Sequence, residues 1–380
     1  TGRLADFAKA KQAGGILGDV RLYLMRKADQ ASDRRQDIIH PSEMASHEWC
    51  PRRTYYRIRD VRAGRAWTPE RHSAGTLAIF EEGHFIHRKW QGWLREMGVL
   101  KGRWDCLECA RKGVAYGHDP GSCPECSSVV GVVYGEVPLD ATRELLIAGS
   151  SDGWVGDSLI EIKGIATGTL RIEAPELLRE HTHKTIGGKE IVDINGAWEA
   201  LSRPLPAHIR QGQIYLHLAA LIGVPVDTIT YLYECKVNQQ VKEFTIRRSE
   251  RIVRPLLEKA ETIANAIRHP DEAPIPDRAF DNPDKRPCKT CEFAKECYAE
   301  NSAAVQPSRS SERSAAGGAY RQPGRSASAS RFASDAPQGR DGAVIPGSDD
   351  LVRGDDRVGR TLRGTSGTGG SPRRVRRIAS

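Results

Sequence analysis

The sequence predicts an α/β fold, a mixed sheet flanked by helices, on three observations. Segments with apolar residues at helical spacing alternate with short runs rich in Val, Ile, Thr and Tyr. The stretch Ser151-Asp152-Gly153-Trp154-Val155-Gly156-Asp157-Ser158-Leu159-Ile160-Glu161-Ile162-Lys163 reads as two strands around a Gly156-Asp157 turn, the signal of a tight hairpin. Residues 249–268 set Ile252, Leu256, Leu257, Ala260, Ile263 and Ile267 on one helical face, the mark of a helix lying on a core.

Taken in order, residues 1–40 read as an amphipathic helical arm. Residues 41–100 are mainly helical, with Ser42 placed to cap a helix and Cys50 early in the segment. Later in it, Ile79, Gly83, Ile86, Trp90, Trp93 and Met97 recur at helical spacing and define a buried stripe. His87 borders that stripe, about one residue's rotation away, and His84 is turned further towards solvent. A cysteine-rich insertion occupies 101–130, and a core of strands and helices fills 131–300. Within this core, 164–207 reads as an irregular connection. A helix carrying Gln211 and Tyr215 follows, ending near Gly223 and Pro225. Then come a strand at 228–235 with a core thiol, Cys235, a strand at 240–246, and the apolar-faced helix.

From about residue 301 to 380 the chain is Ser, Gly, Ala, Pro, Arg and Asp with scarcely an aromatic. Such a composition cannot bury enough apolar surface to offset its ordering entropy, so a disordered tail is expected. The tail holds fourteen arginines, no lysine and seven acids, which leaves a net charge of only +1 on the rest of the +8 chain. A nucleic-acid surface on the folded part must therefore be a local patch. The terminal Pro372-Arg373-Arg374-Val375-Arg376-Arg377 suits nonspecific, salt-sensitive contact with phosphates, or plain solubilisation.

With the hairpin centred on its turn, Asp152 falls opposite Glu161, their Cβ atoms roughly 5 Å apart on one face. Lys163 returns to that face by strand alternation, and Ile160 and Ile162 point the other way. Two carboxylates and an ammonium on a rigid sheet edge suit divalent-metal hydrolysis of phosphodiesters. A solvated hairpin with ordinary surface charges is the bland alternative.

Nine cysteines fall into two sets of four plus Cys235. Cys106, Cys109, Cys123 and Cys126 form two C-x2-C knuckles separated by thirteen residues of turn-forming sequence, the spacing of a zinc ribbon. A redox pair fits poorly, since such pairs come singly on a strand–helix turn. Lys101, Arg103, Arg111 and Lys112 give the ribbon a mildly basic face, so it either touches DNA or only staples an insertion. Cys50 stands far upstream of Cys288, Cys291 and Cys297. By residue type these four could bind zinc, form disulfides or hold an iron–sulfur cluster.

Asp152, Glu161 and Lys163 resemble the signature of PD-(D/E)XK nucleases in their RecB-like branch, whose fold is a restriction-endonuclease-like α/β core. Three further marks resemble the same branch: His87 in Gly83-His84-Phe85-Ile86-His87, the pair Gln211 and Tyr215 four residues apart, and one early cysteine followed by a late C-x2-C-x5-C trio. The opening Pro41-Ser42-Glu43-Met44 to Tyr55-Tyr56 is similar as well. The cysteine layout resembles that of AddB-type subunits and the CRISPR-adaptation nucleases, and implies a [4Fe–4S] cluster on Cys50, Cys288, Cys291 and Cys297. The resemblance implies Mg2+ or Mn2+ on His87, Asp152, Glu161 and the carbonyl of Ile162. It also implies that Lys163 assists the attacking water and that Gln211 and Tyr215 position the strand. It covers about residues 41–298. The ribbon, which would hold Zn2+, is an insertion the family core does not require.

The resulting expectation is a metal-dependent DNA exonuclease acting on single-stranded DNA or DNA ends. No Gly-x4-Gly-Lys-Ser/Thr phosphate loop is present, so a helicase or recombination protein would be a separate partner. Two other classes stand beside it: a catalytically silent DNA-end-binding subunit, and a zinc-ribbon adaptor. No secretory leader opens the sequence and no apolar run approaches the roughly 20 residues of a membrane span. Metal-ligand cysteine spacing completes the expectation of a cytoplasmic protein with no membrane partner.

Overall fold

The computed structural model describes residues 14–29, 34–65 and 72–303, with positions 8, 11 and 12 before them. The predicted tail lies outside the described residues from 304 onward, as do most of residues 1–13 of the arm. The elements run α1 (Gly15–Asp29), α2 (Pro41–Met44), α3 (Pro51–Arg62), α4 (Ala74–Glu96), β1 (Gly102–Cys106), β2 (Arg111–Gly117), β3 (Val132–Tyr134), β4 (Val137–Ala141), α5 (Thr142–Leu145), β5 (Ile147–Ser151), β6 (Gly153–Val155) and β7 (Ser158–Ile165). They continue with α6 (Thr167–Glu173), α7 (Pro175–Glu180), β8 (Thr182–Lys184), β9 (Glu190–Val192), α8 (Ile194–Ala200), α9 (Pro206–Leu221), β10 (Thr228–Cys235), β11 (Val241–Arg247), α10 (Glu250–Arg268), a 3₁₀ turn (Cys288–Thr290) and α11 (Ala294–Ala303).

The fold is mixed α/β. Its central sheet has the order β11-β10-β7-β6, with β10 and β7 parallel and the outer pairs antiparallel. The hairpin pairs Gly153 with Ile160, Trp154 with Leu159 and Val155 with Ser158, the register that sets Asp152 opposite Glu161. Strand β7 is covered on both faces, as a parallel-paired central strand usually is. Ile160 and Ile162 pack with Ile86 of α4 in a small cluster. Leu159 and Ile165 belong to the main core with α3, α9 and α10.

Helix α9 opens with Pro206, whose missing N–H costs nothing at a first helical position. Its approach to β10 depends on Gly212, where an added Cβ would fall 1.8 Å from the Tyr231 hydroxyl. Gln213 joins the next turn: its Nε2 donates to the Arg247 carbonyl (2.8 Å) and its Oε1 accepts from Ser249 N–H (2.6 Å). That bond serves one of the donors left unpaired at the start of α10.

Several expectations are corrected. The stripe on α4 is buried only at Ile86: Ile79, Trp93 and Met97 are exposed, because the helix meets the sheet over one short contact. Ser42 lies inside the first turn of α2 rather than capping it, with His40 at the cap. The 164–207 connection is ordered into three short helices and a hairpin. The ribbon sheet, ordered β2-β1-β3, extends past residue 130 to Tyr134. Glu161 and Lys163 lie on an interior strand and face the helical layer, not an open sheet edge.

Candidate active site and cysteine centres

The end of β5, the strand β7, and helices α4 and α9 bring the candidate residues together. His87 Nδ1 lies 2.9 Å from Asp152 Oδ1, and the Ile162 N–H donates to Asp152 Oδ2 at 2.6 Å. A strand residue sends its N–H and C=O to the same side, so the Ile162 carbonyl also leaves on the Asp152 side. Lys163 Nζ lies 2.6 Å from Glu161 Oε1 and donates to Gln211 Oε1 at 3.2 Å. Gln211 Nε2 in turn donates to the Tyr215 hydroxyl at 2.7 Å. The parallel register sets Tyr231 beside Glu161 and Tyr233 beside Lys163, two rings that shield the pair from water.

The electrostatics follow from burial. Desolvation pushes the Glu161 carboxyl up to about 7, against the pull of Lys163. Burial works against the charged form of Lys163, but the charges of Glu161 and Asp152 hold its pKa above the ordinary lysine value. Burial likewise opposes protonation of His87, but its bond to Asp152 and the charges of Asp152 and Glu161 together outweigh that and raise its pKa.

Three supporting groups went unassigned in the sequence. Glu136 stands with His87 and Asp152 in a set whose ligand atoms all lie within 4.8 Å of one another. It adopts the left-handed region (φ 62°), rare for a non-glycine residue, and its Oε2 accepts from Ser150 Oγ at 2.6 Å. Nothing in the local pattern announces it. Gln91 is four residues from His87 on the same helical face, a spacing that could have drawn attention to it; its Nε2 donates to the Asp152 carbonyl at 3.1 Å. The Tyr134 hydroxyl donates to that carbonyl too, at 3.1 Å, linking the ribbon to the Asp152 corner.

The donor set fits a divalent cation. His87, Asp152 and Glu136 offer one imidazole and two carboxylates within 4.8 Å of one another; Glu161 stands outside that group, and its Oε2 is buried with no hydrogen-bond partner among the described residues. An orphaned buried carboxylate oxygen of this kind needs a positive partner.

The two cysteine sets differ in size. The ribbon sulfurs all lie within 4.8 Å of one another, with Cys106–Cys126 at 3.7 Å and Cys109–Cys123 at 3.9 Å. Zn–S bonds of about 2.3 Å in a tetrahedron require sulfur separations of about 3.8 Å, so this set fits a single ion. Cys50, Cys288, Cys291 and Cys297 instead line one cavity of about 340 Å³ and, among the described residues, form no such tight group. Arg53–Glu292 (3.2 Å), Arg59–Glu296 (2.6 Å) and the Arg52 bond to the Pro276 carbonyl (2.7 Å) hold α3 against the late cysteine segment. Half of the basic face expected on the ribbon is neutralised, Arg103 by Asp105 and Arg111 by Glu125.

No family model and no curated protein matches the chain. Among solved structures it is similar to an alkaline exonuclease from Laribacter hongkongensis, at 12% identity over 70% of this chain and 96% of that one, with a TM-score of 0.35. The same exonuclease in complex with dAMP gives 13% identity, 62% and 90% coverage and a TM-score of 0.34. The crystal structure of SSO0001 gives 12% identity, 78% and 99% coverage and a TM-score of 0.31. No helix among the described residues is long and apolar enough to cross a membrane.

Proposed function

We propose that the protein is a metal-dependent deoxyribonuclease of the PD-(D/E)XK type, an exonuclease on single-stranded DNA or DNA ends. The observation that carries this reading is the buried Lys163–Glu161 pair standing beside the His87–Asp152 contact, with one Glu161 oxygen left unpartnered. A structural ion pair has no use for an orphaned oxygen or for a second carboxylate–imidazole pair next to it.

Mg2+ or Mn2+ held by His87, Asp152, Glu136 and Glu161, with the Ile162 carbonyl, would supply Lewis-acid polarisation of the phosphate and a bound water of lowered pKa. Glu161 fixes the Lys163 ammonium at the site, where it neutralises charge developing on the attacked phosphate. Gln211, itself bonded to Tyr215, holds Lys163 from the far side, and both α9 side chains are buried, so they act on a strand by fixing the ammonium. Gln91 and Tyr134 fix the backbone at Asp152. In this reading Cys106, Cys109, Cys123 and Cys126 hold Zn2+, and Cys50, Cys288, Cys291 and Cys297 hold a [4Fe–4S] cluster that ties α3 to the C-terminal segment. A helicase or recombination protein would be a natural partner for such an exonuclease.

The test is incubation of anaerobically purified protein with end-labelled single- and double-stranded DNA and Mn2+. Wild type should shorten the label from an end, and Lys163→Ala and Glu161→Ala should each lower the rate by about 10²-fold or more. Equal cleavage by wild type and both variants would place the chemistry elsewhere. Tight end-binding by a wild type that cleaves nothing would favour the silent-subunit reading.

A further inference from the structure

Helix α4 carries more than His87 towards the site. Phe80 lies seven residues before His87, and seven steps of about 100° fall only about 20° short of two full turns. The two side chains therefore leave the helix on one line, about 10.5 Å apart along its axis. His84 stands between them, a turn from each, with 70% of its side chain exposed.

Phe80 remains 45% exposed, a large ring on a face that no other part of the described protein covers fully. It is not loosely held. His72 meets it edge to face, with ring centroids 5.0 Å apart and planes at 86°. Ser73 caps α4 directly after His72, its hydroxyl accepting from Thr76 N–H at 3.2 Å, which fixes where His72 leaves the helix. Beyond His72 opens a cavity of about 420 Å³ lined by Arg34, Arg53, Arg57 and His40, with Glu43 and Glu48 on the same wall. Arg57 is paired with Glu43 and Arg53 with Glu292, so this wall is close to neutral overall and offers guanidinium N–H groups to a phosphate rather than a net positive field.

We infer that Phe80, oriented by His72, is a base-stacking ledge for single-stranded DNA whose scissile phosphate lies at His87. This rests on the nuclease reading and deepens it by naming the strand's path: along α4 from His87, past His84, onto the ring, with the backbone running on to the arginine-lined cavity. An exposed aromatic ring accepts any base through its π-face, so the ledge is sequence-tolerant. Duplex DNA presents no free base face and gains nothing from it. The occupant is therefore an unpaired strand.

The test uses the full chain and short oligo-thymidylate in Ca2+, read by fluorescence anisotropy, alongside hydrolysis of the same oligonucleotide and of thymidine 5′-p-nitrophenyl phosphate in Mn2+. Phe80→Leu, which keeps an apolar side chain but no π-face, should weaken oligonucleotide binding and raise KM by about tenfold. It should leave kcat, turnover of the small diester and duplex binding unchanged, and Phe80→Tyr should behave as wild type. Oligonucleotide binding by Phe80→Leu equal to wild type overturns the ledge, and intact hydrolysis of the small diester in that case shows that the nuclease reading survives it. A wild type that binds the oligonucleotide and loses binding on Phe80→Leu, yet hydrolyses neither substrate, upholds the ledge and removes the nuclease reading. A wild type with no affinity for single strands overturns the ledge outright.

Discussion

Lys163 Nζ and Glu161 Oε1 lie 2.6 Å apart on one face of an interior strand, in a pocket that leaves Glu161 almost wholly buried. The pair is a unit, since each side chain without the other is a charge with poor solvation. Removing one partner of a buried pair costs more than the pair contributes.

Lys163→Met and Glu161→Gln should therefore each destabilise the metal-free protein by about 3 kcal/mol, the lower end of the buried-pair range because Lys163 keeps 22% of its side chain exposed. The double variant should recover most of that loss, and neither single nor double variant should cleave DNA at a tenth of the wild-type rate. Denaturant melts of the four proteins give the coupling energy. Additive losses would show that the two side chains do not act together.

Much of this arrangement was legible in the sequence, and the part that was not has a physical reason. The Gly156-Asp157 turn fixes the hairpin register, and register fixes which side chains share a face, so Asp152, Glu161 and Lys163 could be grouped from spacing. Alternation does not say which face a helix covers. For that reason Glu161 and Lys163 were expected at an open edge and are found beneath α9. Periodicity on α4 marked six stripe positions, yet only Ile86 is buried, because the sheet meets that helix at one place. Glu136 is the largest omission. Its place beside His87 comes from a left-handed backbone at the exit of the ribbon, which no propensity foretells.

Gly212 tests the packing that brings Gln211 to the site. Gly212→Ala would set a Cβ 1.8 Å from the Tyr231 hydroxyl and 2.9 Å from its Cζ, so α9 or the ring must move. Overpacking of this kind costs about 1–3 kcal/mol, and displacement of α9 carries Gln211 away from Lys163. Thermal melting and DNA cleavage should both fall in Gly212→Ala. Adding Tyr231→Phe removes the nearest atom and should restore part of the stability. Unchanged melting in Gly212→Ala would mean that α9 does not seat on β10 as described.

The two cysteine sets should load different metals. Elemental analysis of anaerobically prepared protein should give about four iron atoms and about one zinc per chain, with a brown colour. Cys106→Ser should lose the zinc and keep the iron. Cys291→Ala should lose the iron and lower the melting temperature, because the cluster closes a loop of more than roughly 200 residues. The ion pairs Arg53–Glu292 and Arg59–Glu296 remain, so α3 should stay docked at low temperature. Two zincs and no iron would overturn the cluster assignment.

His40 supplies a pH signature of its own. Its Nε2 lies 2.7 Å from the Arg35 carbonyl, a bond the neutral ring makes by donating. Burial, then the nearby Arg34 charge, lower its pKa to about 4 in the folded protein, below the ordinary histidine value of about 6.5. Between those two values the unfolded chain binds a proton that the folded chain refuses. Stability from this group is thus fully present above about pH 6.5 and is lost as pH falls towards 4. Glu43, whose pKa burial raises, acts in the opposite sense, so the His40 contribution must be taken by difference. His40→Gln keeps a donor for the Arg35 carbonyl without titrating. Melting temperatures of wild type and His40→Gln should run parallel above pH 6.5 and diverge below it, with wild type falling faster. Parallel curves down to pH 4 would show that the ring is protonated in the fold as readily as in the unfolded chain.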